Sequence, residues 1–227
     1  MSSELSWGGA FPSDESAIAT RLLVEAWEQL TSSTSTTFRA SLTEPKLTDI
    51  LCEHLKDISE ATGRLTGRWG QENPFGKIDA AAGKRVTSYR TDIEYFSNRS
   101  TPTLRLVYEF KKIDGNYPRT LTKYWGADGM GRFIDGDYAI KQPVVLMAGI
   151  IVSPKAACVT TLKTTLASKR CEKLSWRNAT RTIEPSQSFQ EAYFDTEHLR
   201  PADKQPSAGY VRICHLFLDF PGTSGAP

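Results

Sequence analysis

The chain has 227 residues and a formal net charge of +2, with 24% charged and 39% hydrophobic side chains. Those proportions suit one large packed domain or two small ones and exclude wholesale disorder. A net charge so near zero neither demands nor forbids a nucleic-acid partner, so local charge has to decide.

Cys52, Cys158, Cys171 and Cys214 are widely spread with no Cys-x-x-Cys, and His54, His198 and His215 are equally scattered. A zinc site is not expected; buried thiols in a reducing, cytoplasmic setting are. The first residues lack a basic region followed by an apolar core, so no signal peptide is expected. The longest apolar run, 144–152, is too short for a bilayer, so no membrane partner is expected either.

Ser13 or Asp14 can cap a helix running to about Leu30, with Ile18, Leu22, Leu23, Ala26, Trp27 and Leu30 on one side. Residues 31–37 form a polar Ser/Thr connector. A second helix runs from about Glu44 to Ser59, with a stripe of Leu47, Ile50, Leu51, His54, Leu55 and Ile58. Thr43 as its cap places Pro45 in the first turn, where no N–H is needed. Glu44 lies three and seven residues before Leu47 and Leu51 and so points toward the buried side. Residues 63–79 are strand-and-turn in character, and 80–85 form a short connection.

Two strand patterns follow, 89–96 and 104–113, separated by the turn formers of 97–102. Asp92 and Glu94 share a face of the first. On the second, Leu104, Leu106, Tyr108 and Phe110 share one face, and Arg105, Val107, Glu109 and Lys111 the other. A hairpin turning near 98–100 puts Asp92 opposite roughly 107–109, with Lys111 alongside. Two carboxylates so close call for a cation, and a hard divalent ion with oxygen ligands suits them.

Beyond the turn at 114–118, residues 119–138 are expected to be helical in part, broken at 126–131. The apolar run 144–152 reads as a central strand covered on both faces. Residues 155–170 form a helix with Val159, Leu162 and Leu166 inward, 201–208 a loop, 211–220 a last strand, and 221–227 a tail. The expected fold is α/β: a mixed sheet with helices on both faces, in one domain with no internal repeat.

Asp92, a hairpin, then Glu109-Phe110-Lys111 resembles the PD-(D/E)XK, or restriction-endonuclease-like, nuclease superfamily. The resemblance covers a core at about 43–152, with an N-terminal helix before it and an elaboration at 153–227 after it. It departs from the pattern where Thr91 replaces the proline, and it lacks a glutamine motif after Lys111. The resemblance implies that Asp92, Glu109 and the carbonyl of Phe110 bind Mg²⁺, for which Mn²⁺ can substitute. It implies that Lys111 orients or polarises the attacking water and that Glu44 assists. The implied activity is Mg²⁺-dependent hydrolysis of DNA. A homodimer with one site per strand stays open, as do partner proteins of a system defending against foreign DNA; repair and recombination are equally open.

The chemistry has its own logic. Phosphodiester hydrolysis needs a positioned water and charge neutralisation at phosphorus, which a metal held by two acids beside an ammonium supplies. Burial near a metal is expected to lower the pKa of Lys111 and suit it to base work. Other readings stand beside this one. Glu109 and Lys111 also read as a solvated ion pair, Glu94 as a solvent-side acid, and Glu44 as a complement to the helix dipole. The glycine-rich 126–131 lacks the ending of a phosphate-binding loop, which leaves Arg132 near phosphate. Lys112, Lys155, Lys169, Arg170, Lys173 and Arg177 are candidate nucleic-acid contacts; the run from Lys155 to Arg181, with Trp176 among its basic residues, reads equally as a solvated helix face. A non-catalytic nucleic-acid-binding or interaction module with the same fold is the alternative function.

Overall fold

The computed structural model describes residues 13–33, 37–71, 74–75, 78–79, 84–85, 89–99, 103–137, 143–168, 173–178, 180–181, 183–202 and 209–221. Helices α1 (Ser13–Ser32) and α2 (Glu44–Thr62) precede β1 (Arg68–Gln71) and four two-residue strands. Those four are β2 (Pro74–Phe75), β3 (Ile78–Asp79), β4 (Lys84–Arg85) and β5 (Tyr89–Arg90), pairing β2 with β5 and β3 with β4. Then come β6 (Ile93–Ser97), β7 (Leu104–Ile113), α3 (Tyr117–Trp125), α4 (Met130–Ile134), β8 (Val144–Ile151), α5 (Lys155–Ala167), β9 (Phe194–Leu199) and β10 (Tyr210–Asp219).

Six strands make the main sheet, in the order β1-β6-β7-β8-β10-β9. β7, β8 and β10 run parallel to one another, while β1, β6 and β9 pair antiparallel. This is a mixed α/β sheet, as expected. Its two faces carry separate apolar layers. Leu22, Leu23 and Trp27 of α1 and Leu47, Leu51 and Leu55 of α2 cover one, against Leu106, Tyr108 and Phe110 of β7. On the other, Leu121 and Tyr124 of α3, Phe133 of α4 and Leu162 and Leu166 of α5 meet Val107, Val145 and Met147. All eight residues of β8 are buried, which explains an apolar run without alternation.

α2 starts as its proline dictates. Thr43 is the extended N-cap with Pro45 in the first turn, and at the other end Gly63, at φ 60°, closes the helix by donating its N–H to Ser59 O. α1 continues into the Ser/Thr tract because Thr31 and Ser32 donate their hydroxyls back to Trp27 O and Glu28 O. α3 begins at Tyr117, ahead of the expected turn's end, because Pro118 is tolerated in a first turn. The helix expected to break at 126–131 does so over 126–129, since α4 takes up Met130 and Gly131; Tyr138 and most of the expected loop at 201–208 and tail lie outside the described residues. Strand β9 is an element the sequence pattern did not announce. Its Phe-Asp-Thr-Glu-His-Leu pattern alternates buried and half-exposed side chains along the sheet's edge.

Candidate active site

β6 and β7 pair Ile93 with Tyr108 and Glu94 with Val107, so one further step of the same register sets Asp92 opposite Glu109. Asp92 lies just before β6, and its Oδ2 accepts a 2.7 Å hydrogen bond from the Phe110 N–H. Burial raises its carboxyl pKa; Lys111 and the Phe110 N–H pull the other way, and Glu44 adds to the rise.

Glu109 is wholly buried. Its Oε1 accepts from Lys111 Nζ at 2.7 Å and from Arg132 Nη1 at 3.3 Å, while Oε2 is buried with no hydrogen-bond partner. Desolvation first, then the charge of Asp92, pushes its pKa up to about 8 against the pull of Lys111 and Arg132. This is no solvated surface pair.

Lys111 is held from three sides. Its ammonium donates to Glu109 Oε1 and to Phe110 O at 2.7 Å each, and to Glu44 Oε1 at 3.3 Å. Burial disfavours its charge, but Glu109, Glu44 and Asp92 outweigh burial and raise its pKa. The expected lowering is therefore corrected: the acids that converge here keep Lys111 protonated, so it orients and stabilises rather than accepts a proton. Glu44 enters from the first turn of α2, and its Oε2 also accepts from the Lys112 N–H at 2.6 Å. That bond ties α2 to β7, a role the sequence hinted at only through the inward direction of Glu44.

Thr91 stands where the superfamily's name has proline; it is fully buried and its hydroxyl has no partner. Glu94, expected as a solvent-side acid, is 8% exposed and accepts from Arg105 Nη2 at 2.8 Å, away from the Asp92–Glu109 pair.

Among the described candidate nucleic-acid contacts, only Arg132 brings its side chain to the acidic centre. Lys112 turns its ammonium inward to Ala40 O and Leu42 O, at 2.5 and 2.8 Å. Lys155 pairs with Asp219 at 2.7 Å, Arg177 pairs with Glu197 at 2.9 Å, and Lys173 lies over the Trp125 ring. Lys169 and Arg170 lie outside the described residues. The described members of the basic run thus engage protein partners rather than line an open track. A cavity of about 620 Å³ lies between α1 and the end of β10, lined by Trp27, Glu28, Lys155 and Asp219, with none of the acidic centre's residues on its walls.

No family model, curated protein or solved structure matches this chain. The reading of the site therefore rests on its geometry.

The donor set has the chemistry of a hard-cation site in part. Among the described residues, no three His, Cys, Asp or Glu side chains gather closely enough to hold one ion. Two carboxylates and a carbonyl do meet at the β6–β7 junction. The Lys111 ammonium already bonds two of those three groups, as a cation would, and Glu109 Oε2 is left over. A buried acid forced up to about 8 by desolvation first and then by a second acid is a group whose ionised form a divalent ion stabilises. In chemical type these oxygens match such an ion, short of a complete ligand set.

Proposed function

We propose that this chain is a metal-dependent nuclease hydrolysing phosphodiester bonds of DNA, with Asp92, Glu109, Lys111 and Glu44 at its centre. The observation that carries the reading is the meeting of Asp92, Glu109 and Lys111 where two adjacent strands join, with a buried carboxylate oxygen unpartnered. Asp92, Glu109 and the Phe110 carbonyl would hold Mg²⁺ or Mn²⁺. Bound there, the ion would supply Lewis-acid neutralisation of the phosphoryl oxygens and lower the pKa of water.

The chain's own residues do the rest. Lys111, kept protonated by three acids, presents a fixed ammonium to the phosphate side of the site and orients the attacking water. Arg132, hydrogen-bonded to Glu109 from α4, brings a second cation for developing negative charge. Glu44 holds Lys111 and the β7 backbone in place through its two oxygens. The restriction-endonuclease-like core, DNA as substrate, a homodimer, and a defence role with partner proteins belong to this proposal; the α2-β1-β6-β7-α3-β8 order of elements supports the first.

The test is nicking of supercoiled plasmid and cutting of single-stranded DNA with Mg²⁺, Mn²⁺ or EDTA. Wild-type protein is expected to cut only with metal. Asp92→Ala, Glu109→Ala and Lys111→Ala are expected to cut at least about a hundredfold more slowly. A Glu109→Ala protein cutting at the wild-type rate would end the assignment. DNA binding without metal-stimulated cutting would favour the non-catalytic module.

A further inference from the structure

The sheet face bearing the acidic centre does not end at Asp92 and Glu109. Four residues farther along the hairpin, β1, β6 and β7 align Arg68, Phe96 and Arg105 in one row: Arg68 pairs with Phe96, and Phe96 with Arg105. Directly paired residues share a sheet face, and alternate residues along a strand return to it. Phe96, Glu94 and Asp92 therefore lie on the same side, as do Arg105, Val107, Glu109 and Lys111. The row spans about 10 Å across three strands and stands about 13 Å from the acidic centre, at roughly 3.3 Å per residue and 4.8 Å per strand.

The composition of this row is unusual for a sheet surface. Phe96 is 42% exposed, one of three large hydrophobics so placed among the described residues. Its neighbour Ser97, by contrast, is 2% exposed, and Tyr95, on the opposite face, is wholly buried. Arg68 beside it is exposed to solvent. On the other flank, Glu94 Oε2 accepts from both Nε and Nη2 of Arg105, at 3.2 and 2.8 Å, which holds that guanidinium at Glu94, two residues from Phe96 on the same strand face. A half-exposed aromatic ring paired on either side with an arginine position offers a stacking platform with phosphate contacts in reach. An acidic centre repels phosphate, so a strand entering it needs positive charge nearby, and this row supplies it on the same face.

We infer that Phe96, flanked by Arg68 and Arg105, is a stacking subsite for an unpaired nucleotide of the strand whose phosphate reaches the Asp92–Glu109 centre. The substrate class is then single-stranded or locally unpaired nucleic acid, since a base inside a duplex cannot lay its face on a side chain. Charge complementarity and continuity with the acidic centre select this occupant over a protein partner. The inference rests on the nuclease reading for its direction, but its test does not depend on catalysis.

The experiment is fluorescence anisotropy of a labelled single-stranded oligonucleotide and of its duplex, in EDTA so that nothing is cut. Phe96→Leu, which keeps apolar bulk but loses the π-face, is expected to weaken single-strand binding about tenfold. Phe96→Trp is expected to restore it, Arg68→Ala to weaken it and make its salt dependence shallower, and duplex binding to change little with any Phe96 variant. Because Phe96 is surface-exposed, thermal melting of each variant should match wild type. Single-strand affinity unchanged in Phe96→Leu, equal losses for single strand and duplex, or no single-strand binding by wild type would each overturn the subsite. Cutting that persists in Phe96→Leu with unchanged single-strand affinity would overturn the subsite while leaving the nuclease reading standing.

Discussion

Glu109 shows what its position costs. A carboxyl with an ordinary pKa of 4.5 is held at about 8 by burial and by Asp92. The folded state therefore binds a proton that the unfolded chain has released between those two values. Stability from this group is present below pH 4.5 and is lost as pH rises through 8. At about 1.4 kcal/mol per pKa unit, the loss amounts to a few kcal/mol. Glu109→Gln cannot titrate, so urea unfolding from pH 6.5 to pH 8.5 should show the wild type weakening and the variant changing far less. Equal slopes for the two proteins would mean that Glu109 ionises normally. Mg²⁺ should raise the wild-type melting temperature most at the alkaline end, where the carboxylate is already ionised, and leave Glu109→Gln nearly unmoved.

Elements with strong local signals were readable before the fold was known, and those governed by the tertiary environment were not. Pro45 and the leucine stripe placed α2 within a residue at its start. The alternation in β7 correctly separated Tyr108 and Phe110, facing α1 and α2, from Val107, facing α3 to α5. The Asp92–Glu109 proximity followed from a turn position and constant pairing sums. The pKa of Lys111 did not, because it sets burial against Glu109, then Glu44 from 67 residues away, then Asp92. Nor did the fate of Lys112, Lys155 and Arg177, whose partners lie on distant segments. The break between α3 and α4 was visible as glycines, and the structure explains one of them. A Cβ on Gly129 would stand 2.0 Å from Tyr124 O and 2.6 Å from Lys123 O. Gly129→Ala must therefore displace α4, which carries Arg132 onto Glu109. The expected result is a loss of about 1–3 kcal/mol in denaturant unfolding, the usual scale of overpacking. Wild-type stability in that variant would show the junction to be freely adjustable.

At the scale of the whole molecule, a buried polar chain joins elements far apart in sequence. His198 Nδ1 is 2.6 Å from Leu174 O, and Thr196 Oγ1 is 2.9 Å from His198 Nε2 and 3.0 Å from His215 Nε2. Tyr124 OH is 2.9 Å from His215 Nδ1. A carbonyl can only accept, so His198 carries its proton on Nδ1 and accepts from the Thr196 hydroxyl at Nε2. Thr196, having spent its proton, accepts from His215 Nε2, and His215 Nδ1 accepts from Tyr124. These directions hold while both rings are neutral and Tyr124 gives its one proton to His215; the same hydroxyl also lies 3.3 Å from Met147 O. Burial lowers the pKa of His198 to about 4 and that of His215 well below 6.5. For these groups the unfolded chain binds more protons, so their contribution is present above pH 6.5 and lost as pH falls through 4. That slope opposes the one from Glu109. The wild-type unfolding free energy should rise as pH increases from 4 to about 6.5, then fall toward 8. Glu109→Gln should keep the acid limb and flatten the alkaline one, since the histidines lie on β9 and β10 and titrate independently of the β6–β7 centre. An acid limb that begins only below pH 4 would assign it to carboxylates such as Asp49, whose pKa is lowered by Gln71 and Lys46, and would remove the histidine chain as its cause.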